Sequence, residues 1–179
     1  MIAELLEAVT VYLRDQGVAS GRVYYGEPDP DRISAEAPLA FVRLHSGPTP
    51  AEGTSAGVIL GDTTSGDGSL NLTVSAGVYE AELQVDLFAA PPQDGGMAQL
   101  LGLIDDVVPL LDGVVLGDST SAAAVGEIGL FYQHGVTLTG TPKQHLKHAL
   151  RVRAVFHRIS AESAWPADTI DLVTDDEVT

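Results

Sequence analysis

Apolar residues at the start of the chain recur at spacings of three and four. Ile2, Leu5, Leu6, Val9, Tyr12 and Leu13 fall on one stripe, which predicts an amphipathic helix. Gly17 is placed to end it, because glycine takes the left-handed conformation that follows many helices. Arg22 to Tyr25 then reads as a short strand. Glu27-Pro28-Asp29-Pro30-Asp31 breaks it, since proline has no N–H for a ladder and restricts the residue before it. Pro38 to Leu44 reads as a second, apolar strand. The clearest alternation follows at residues 80–87. Ala81, Leu83, Val85 and Leu87 point one way, and Glu80, Glu82, Gln84 and Asp86 point the other. One face of this strand is core and the other is an acidic stripe.

Pro91-Pro92 ends that strand, and Asp94 is a candidate cap for a following helix. That helix carries Met97, Leu100, Leu101, Ile104, Val107, Val108 and Leu111 on its stripe, with Pro109 shortening the last turn and Gly113 closing it. Two long strands are predicted at Gly126–Thr139 and His145–Ile159, joined through Thr139-Gly140-Thr141-Pro142 as a hairpin. Ile128, Leu130, Tyr132, Val136 and Leu138 share a face of the first. Leu150, Val152, Ala154 and Phe156 share a face of the second, whose other face carries Lys147, Arg151, Arg153 and His157. Both apolar sets sit on even positions. Without a bulge, opposed residue numbers must then differ by an even amount. Residues 46–77 are rich in Gly, Ser, Thr and Pro, with two short apolar runs at 58–60 and 70–72. They read as an extended arm or loop with its tip at Gly61–Gly68. From Ser160 onward the core pattern is poor, and a partly extended, acidic tail is expected. The organisation read from the sequence is one domain over 1–159, with the arm at 46–77, and a C-terminal tail over 160–179. The fold class is α+β: a mixed, mainly antiparallel sheet with two helices packed on it.

Charge adds a constraint. The chain has 179 residues, with 25 Asp plus Glu against 9 Lys plus Arg and a formal net charge of −16. A protein that grips nucleic acid through its phosphates needs the opposite balance. The charge is also segregated. Between Arg43 and Lys143 lie twelve acids and no base, Lys143 to Arg158 holds five bases and no acid, and six acids follow Arg158. One basic strip stands between two acidic stretches, a pattern suited to surfaces that meet opposite charge. The sequence has no cysteine, which excludes disulfides, thiolate-bound zinc and thiol chemistry. The first residues are acidic where a signal peptide is basic, and apolar runs are too short for a membrane helix. The expectation is a soluble intracellular product, or one released only by lysis, with no membrane association.

Candidate catalytic motifs are weak. Gly53-Thr54-Ser55-Ala56-Gly57 matches the spacing of a nucleophile elbow, but lacks the buried strand before it and the helix after it. His145 and His148, with His134 and His157 in the same hairpin, are candidates for a metal cluster. Residues three apart on a strand face opposite ways, however, so ordinary strand histidines are the better reading. Asp62 and Asp67 share only composition with a calcium loop. Asp105 and Asp106 diverge on a helix and make a poor acid–base pair. Asn71-Leu72-Thr73 is a glycosylation sequon without a secretory context. No phosphate-binding glycine loop is present. No catalytic residue, cofactor or metal is expected, and the chain does not read as an enzyme.

The order of elements resembles a known family. A helix beginning Met1-Ile2-Ala3-Glu4-Leu5-Leu6 leads to Val23-Tyr24-Tyr25-Gly26. Then come Pro38-Leu39-Ala40-Phe41-Val42-Arg43, the alternating strand Tyr79–Val85, a helix, and a closing strand His148-Ala149-Leu150-Arg151-Val152-Arg153. Over residues 1–159 this is similar to the tail terminator, or tail-completion, proteins of tailed bacteriophages and to related neck and minor tail proteins. The resemblance implies a virion structural protein assembled in the host cytoplasm: a homohexameric ring that caps the tail tube and joins it to the head or neck. The partners it implies are other copies of the chain, the tail tube protein and a neck or head-completion protein. DNA would pass through the channel without specific binding, eased by acidic walls. The interaction residues read from the sequence are Glu80, Glu82 and Asp86 on one strand and Lys147, Arg151 and Arg153 on another. They are able to meet within one sheet or between subunits. The alternatives are a head-completion connector and an acidic DNA-mimic that blocks a basic partner, the latter disfavoured by the basic strip.

Overall fold

The alternation of residues 80–87 builds the centre of the molecule. Ala81, Leu83, Val85 and Leu87 are all buried, in a strand that has neighbours on both sides. The structure is a computed structural model that describes residues 1–51, 58–64, 69–116, 125–141 and 143–166, with backbone alone for 58–64, 69–74 and 160–166. The element order is α1 (Ile2–Asp15), β1 (Val23–Tyr25), α2 (Pro30–Glu36), β2 (Leu39–Pro50), β3 (Val58–Thr64), β4 (Ser69–Ala89), α3 (Gly96–Val107), β5 (Val114–Leu116), β6 (Val125–Leu138) and β7 (Leu146–Pro166). The strands form one sheet in the order β1-β2-β4-β7-β6-β5, with β3 also on β4. Among the described strands only β1 and β2 run parallel. The α+β class expected from the pattern is what the chain adopts.

The helices α1 and α3 share the main core with the inner sheet face. Leu5, Val9 and Leu13 of α1 and Leu100, Leu103 and Val107 of α3 pack with Leu83, Val85, Leu150, Val152 and Phe156. Burial of such side chains contributes roughly 1.5–3 kcal/mol each. The α1 stripe matches the expected one, and Gly17 has φ of 79° after the helix. The α3 stripe is rotated from expectation. Leu100, Val107 and Leu111 are buried as expected, but Leu103 is buried too while Met97 and Leu101 are exposed, and the helix is preceded by Gly95, not capped by Asp94. Pro109 does end it, in a turn of 3-10 helix at Val108–Leu110.

The other sheet face carries a smaller apolar cluster. Leu39, Phe41 and Phe88 pack there, with Tyr24 and Ile33 against them. Ile33 belongs to α2, where the sequence showed only a chain break. Asp29 starts this helix, accepting from the N–H groups of Asp31 at 3.0 Å and Arg32 at 3.4 Å, with Pro30 in the first turn. The helix buries none of its residues fully, so no apolar stripe announced it.

β4 and β7 are 21 residues each and pair from Ala89–Leu146 to Ser69–Pro166. At about 3.4 Å per residue this ribbon is roughly 70 Å long. Its far end is a three-stranded arm of β3, β4 and β7, which takes up part of the segment expected as an arm or loop. Gly61 lies in β3, and residues 65–68 of the expected tip are outside the described residues. The boundary expected after residue 159 falls inside β7. Residues 167–179 are outside the described residues.

The β6–β7 hairpin has two register shifts, between Val125 and Ile128 and between Tyr132 and His134, and the second overturns part of the sequence reading. Ile128, Leu130 and Tyr132 oppose Phe156, Ala154 and Val152, as the even-number rule requires. Beyond Tyr132 the register shifts, and His134 opposes Arg151. Gln133 is thus the extra residue of a bulge, and every later side chain changes face. Val136 and Leu138, expected in the core with Ile128 and Leu130, stand on the outer face instead, 42% and 49% exposed.

The same shift turns Thr137 inward beside His148, which is buried on β7. Thr137 Oγ1 is 2.8 Å from His148 Nδ1, and a Cβ at Gly135 would collide with the imidazole. Burial lowers the His148 pKa below its ordinary 6.5. The unfolded chain therefore takes up this proton more readily than the folded one. The contribution of neutral His148 to stability is complete above 6.5 and is lost as the pH falls from there through the folded value. Urea unfolding of the wild type at pH 8 and pH 5 is expected to show a stability loss at the lower pH that His148→Gln reduces. An identical pH dependence in the variant would show that His148 does not titrate with folding.

Candidate functional site

The outer face of β4 and β7 brings the six charged residues read from the sequence together. Glu80, Glu82, Gln84, Asp86 and Phe88 stand on β4, and Lys147, Ala149, Arg151, Arg153 and Val155 on β7. Directly opposed pairs are Glu82–Arg153, Gln84–Arg151, Asp86–Ala149 and Phe88–Lys147. The ion pairs are diagonal. Glu80 meets Arg153 at 3.8 Å, Glu82 meets Arg151 at 3.9 Å, and Asp86 meets Lys147 at 3.0 Å. Of the two arrangements open from the sequence, pairing within one sheet is satisfied in a single chain.

Burial grades this ladder along the strands. Asp86, beside Phe41 on β2, is 0% exposed. Its carboxylate accepts from Arg43 Nε at 2.8 Å and from the Gln84 amide, and is 3.0 Å from Lys147 Nζ. Two cations and an amide offset the cost of taking a charge out of water. Arg43 also reaches Glu27, at 3.3 Å from its carboxylate. Glu82 is half-buried, accepting from Ser46 Oγ at 3.3 Å and lying 3.9 Å from His45 Nε2. Glu80 and Arg153 form the exposed end. Arg153 is half exposed, and such a pair adds at most about 1 kcal/mol. Arg151 Nη1 is buried without a hydrogen bond, because 3.9 Å is beyond hydrogen-bonding length.

The face therefore has a fixed end at Asp86 and an adaptable end at Arg153. β6 contributes Phe131 beside the Arg153 end and Val136 and Leu138 beside the Asp86 end, all exposed. The Arg153 guanidinium lies 5.5 Å from the centre of the Phe131 ring, within reach of a cation–π attraction. Sequence reasoning missed Arg43 and Gln84 as partners of Asp86. The available signal was Arg43 itself, a lone base on an apolar strand. It missed the apolar patch because the bulge is invisible in the alternation.

The remaining candidates do not converge. His134 is exposed on the outer face, His148 is buried on the inner face, and His157 Nδ1 is 3.1 Å from Ser75 Oγ. Among the described residues there is no group of three or more His, Asp or Glu placed to hold a metal ion. Asp105 and Asp106 are exposed on α3. Ser55 and Asp67 lie outside the described residues, and of Asp62 only the backbone is described. No described helix is long and apolar enough to cross a membrane.

No protein-family model matches the sequence. The search of curated proteins gives no match. Among solved structures, the chain is similar to a chain of "Virion of native gene transfer agent (GTA) particle", with a TM-score of 0.41 and 16% identity, over 87% of this chain and 97% of that one.

Proposed function

We propose that the protein is a non-enzymatic structural component of a tailed virion: a tail terminator that forms a homohexameric ring, caps the tail tube and joins it to the head or neck. The observation that carries this reading is the element order. α1, the short strand β1, β2, the alternating strand β4, α3 and the closing strand β7 occur in that order, with α2, β3, β5 and β6 between them and all the strands in one sheet, the order on which the family resemblance rests. The charge supports it as well. A net charge of −16 suits a channel that DNA slides through without being held. Lys147, Arg151 and Arg153 of β7 are paired with acids of β4, and over the whole chain acids outnumber bases. The same pairing disfavours a DNA-mimic, whose target requires one continuous negative face.

Mass spectrometry of purified particles tests the proposal, with a stop codon in the gene as the comparison. Peptides of this chain are expected in the intact particles. Without it, tails of uncontrolled length are expected. Complete tails beside unjoined heads would assign the chain to head completion instead, and its absence from particles would overturn the virion role.

A further inference from the structure

Two apolar faces of the sheet have no covering layer among the described residues, and they lie on opposite sides of it. The first is on the arm. β2 ends opposite Tyr79 and β6 begins opposite Arg158, so beyond Ser75 the sheet narrows to β3, β4 and β7. Leu70 pairs with Trp165, and Val74 with Ile59. Opposed residues share a face, and so do alternate ones along a strand. By register, then, Leu70, Leu72, Val74, Ile59 and Trp165 occupy one face of the arm, and Asn71, Thr63 and Ala164 the other. β7 keeps its alternation from Phe156 to Ser160, which opposes Val74. The apolar arm face therefore continues the side that α1 and α3 cover over the body. Such a face is normally buried under a second layer, yet β3 has its main contacts with β4 alone.

The second face is a strip on the outer side of β5 and β6. Val115, Phe131, Val136 and Leu138 expose 57%, 42%, 42% and 49% of their surface. All four stand on the outer side. Val115 opposes Gly129, and Phe131, Val136 and Leu138 oppose Arg153, Ala149 and Lys147. The Phe131 ring lies down against Gly129, where an added Cβ would sit 3.1 Å from its Cε2, so the strip is low in relief. The helix on this side, α2, packs by Ile33 against Phe41 and Phe88, beyond β7 from the strip.

One chain cannot bring the two together, because they are opposite sides of one continuous sheet. Between copies they match. The strip runs beside β7 from Arg153 to Lys147, and the arm face runs from Ser160 to Pro166; each is about 20 Å long at 3.4 Å per residue. We propose that the arm of one copy lies with its apolar face on the β5–β6 strip of the next, sheet upon sheet. Arm on arm would leave both strips bare, and strip on strip would leave both arms bare. Three strands at about 4.8 Å make the arm roughly 14 Å wide, so one contact covers roughly 280 Å² on each side. A lone pair thus buries roughly 560 Å², well under the about 1,200 Å² of a stable specific pair. The two surfaces differ, so the contact is head-to-tail. In a closed ring every copy gives one arm and receives one, and a copy leaves only by breaking two contacts. This goes beyond the tail role and does not rest on it, since the two faces belong to the chain whatever particle it serves.

Light scattering and tryptophan fluorescence of the full chain, over one concentration series, provide the test. Trp165 is the single tryptophan, so the emission reports on the arm. A discrete larger species is expected to replace the monomer, with the emission moving to the blue over the same range. Val136→Glu and Leu138→Glu are each expected to raise the concentration required about tenfold or more and to hold the emission at its dilute value. Val136 opposes Ala149, and the run of β7 from 149 to 165 is about 54 Å. An effect of the strip on Trp165 therefore passes through a second copy. Leu72→Glu on the arm is expected to match the strip variants. Val11→Glu adds the same charge at an exposed position of α1 and is expected to change neither signal. Circular dichroism confirms that each variant keeps the fold. A chain monomeric at every concentration overturns the proposal. So does a monomer whose emission is already blue-shifted, which would show that the chain covers its own arm. Assembly lost in Leu72→Glu but kept in both strip variants would pair arm with arm and overturn it as well.

Discussion

Asp86→Ala is expected to destabilise the protein by about 3–5 kcal/mol, among the larger effects of any single substitution. The carboxylate is fully buried, and Arg43 and Lys147 are each mostly covered. Removing it leaves Lys147 without its counter-charge and Arg43 with only the exposed Glu27, beside Phe41 and Phe88. Denaturant titration should show the loss as a lower midpoint with an unchanged slope. Replacing Asp86, Arg43 and Lys147 together with Leu, Met and Met is expected to recover most of it, because the penalty lies in the stranded charge and not in the absence of the ion pair. A single alanine variant as stable as the wild type would show that water reaches the cluster and that Asp86 is not the anchor of this face.

Gly96→Ala is expected to cost about 3 kcal/mol, at the upper end for overpacking. Gly96 is buried at the start of α3, and its N–H donates to Pro91 O at 3.2 Å. A Cβ there would run into the carbonyl group of Ala90 and approach Pro91 O to 2.9 Å. Those atoms are backbone, so no rotamer change relieves the contact, and α3 must lift from the sheet. Gly102→Ala on the same helix is the internal control. Nothing lies within 4 Å of its added Cβ, and alanine there should stabilise the helix by about 0.5–1 kcal/mol. Equal effects at the two sites, read as shifts in thermal midpoint, would remove the packing argument.

Alternation and helical spacing made the framework legible. The face of β4 defined by Ala81, Leu83, Val85 and Leu87 and the stripe of α1 are as the sequence reads, because each depends on a local period. What escaped depends on neighbours. The stripe Glu80–Asp86 looked uniform, yet Asp86 is buried and Glu80 partly exposed, since Phe41 and Phe88 flank the Asp86 end while β2 sets Thr49 opposite Glu80. The face of Val136 was misread because one extra residue, Gln133, reverses parity without changing composition. α2 escaped because a short helix that only leans on a small cluster needs no apolar stripe. Its signal was the cap, Asp29 followed by Pro30. The six charged residues of the outer face were identifiable as two opposed sets. Which acid meets which base was not, because register is a property of the pair of strands.

The position of β7 also has a consequence for biosynthesis. It lies between β4 and β6, at the middle of the sheet, and it is the last described strand to leave the ribosome. Until it emerges, β4 and β6 have no partner between them and the inner faces of α1 and α3 have only part of their core. Its pairing joins Ala89 to Leu146 at one end and Ser69 to Pro166 at the other. The separation along the chain therefore grows steadily toward the arm, which favours closure from the base outward. Such long-range pairing folds slowly, so the edge of β4 stays bare from the synthesis of Ala89 until β7 is made, joined by that of β6 from Leu138 onward, and both are exposed to neighbours.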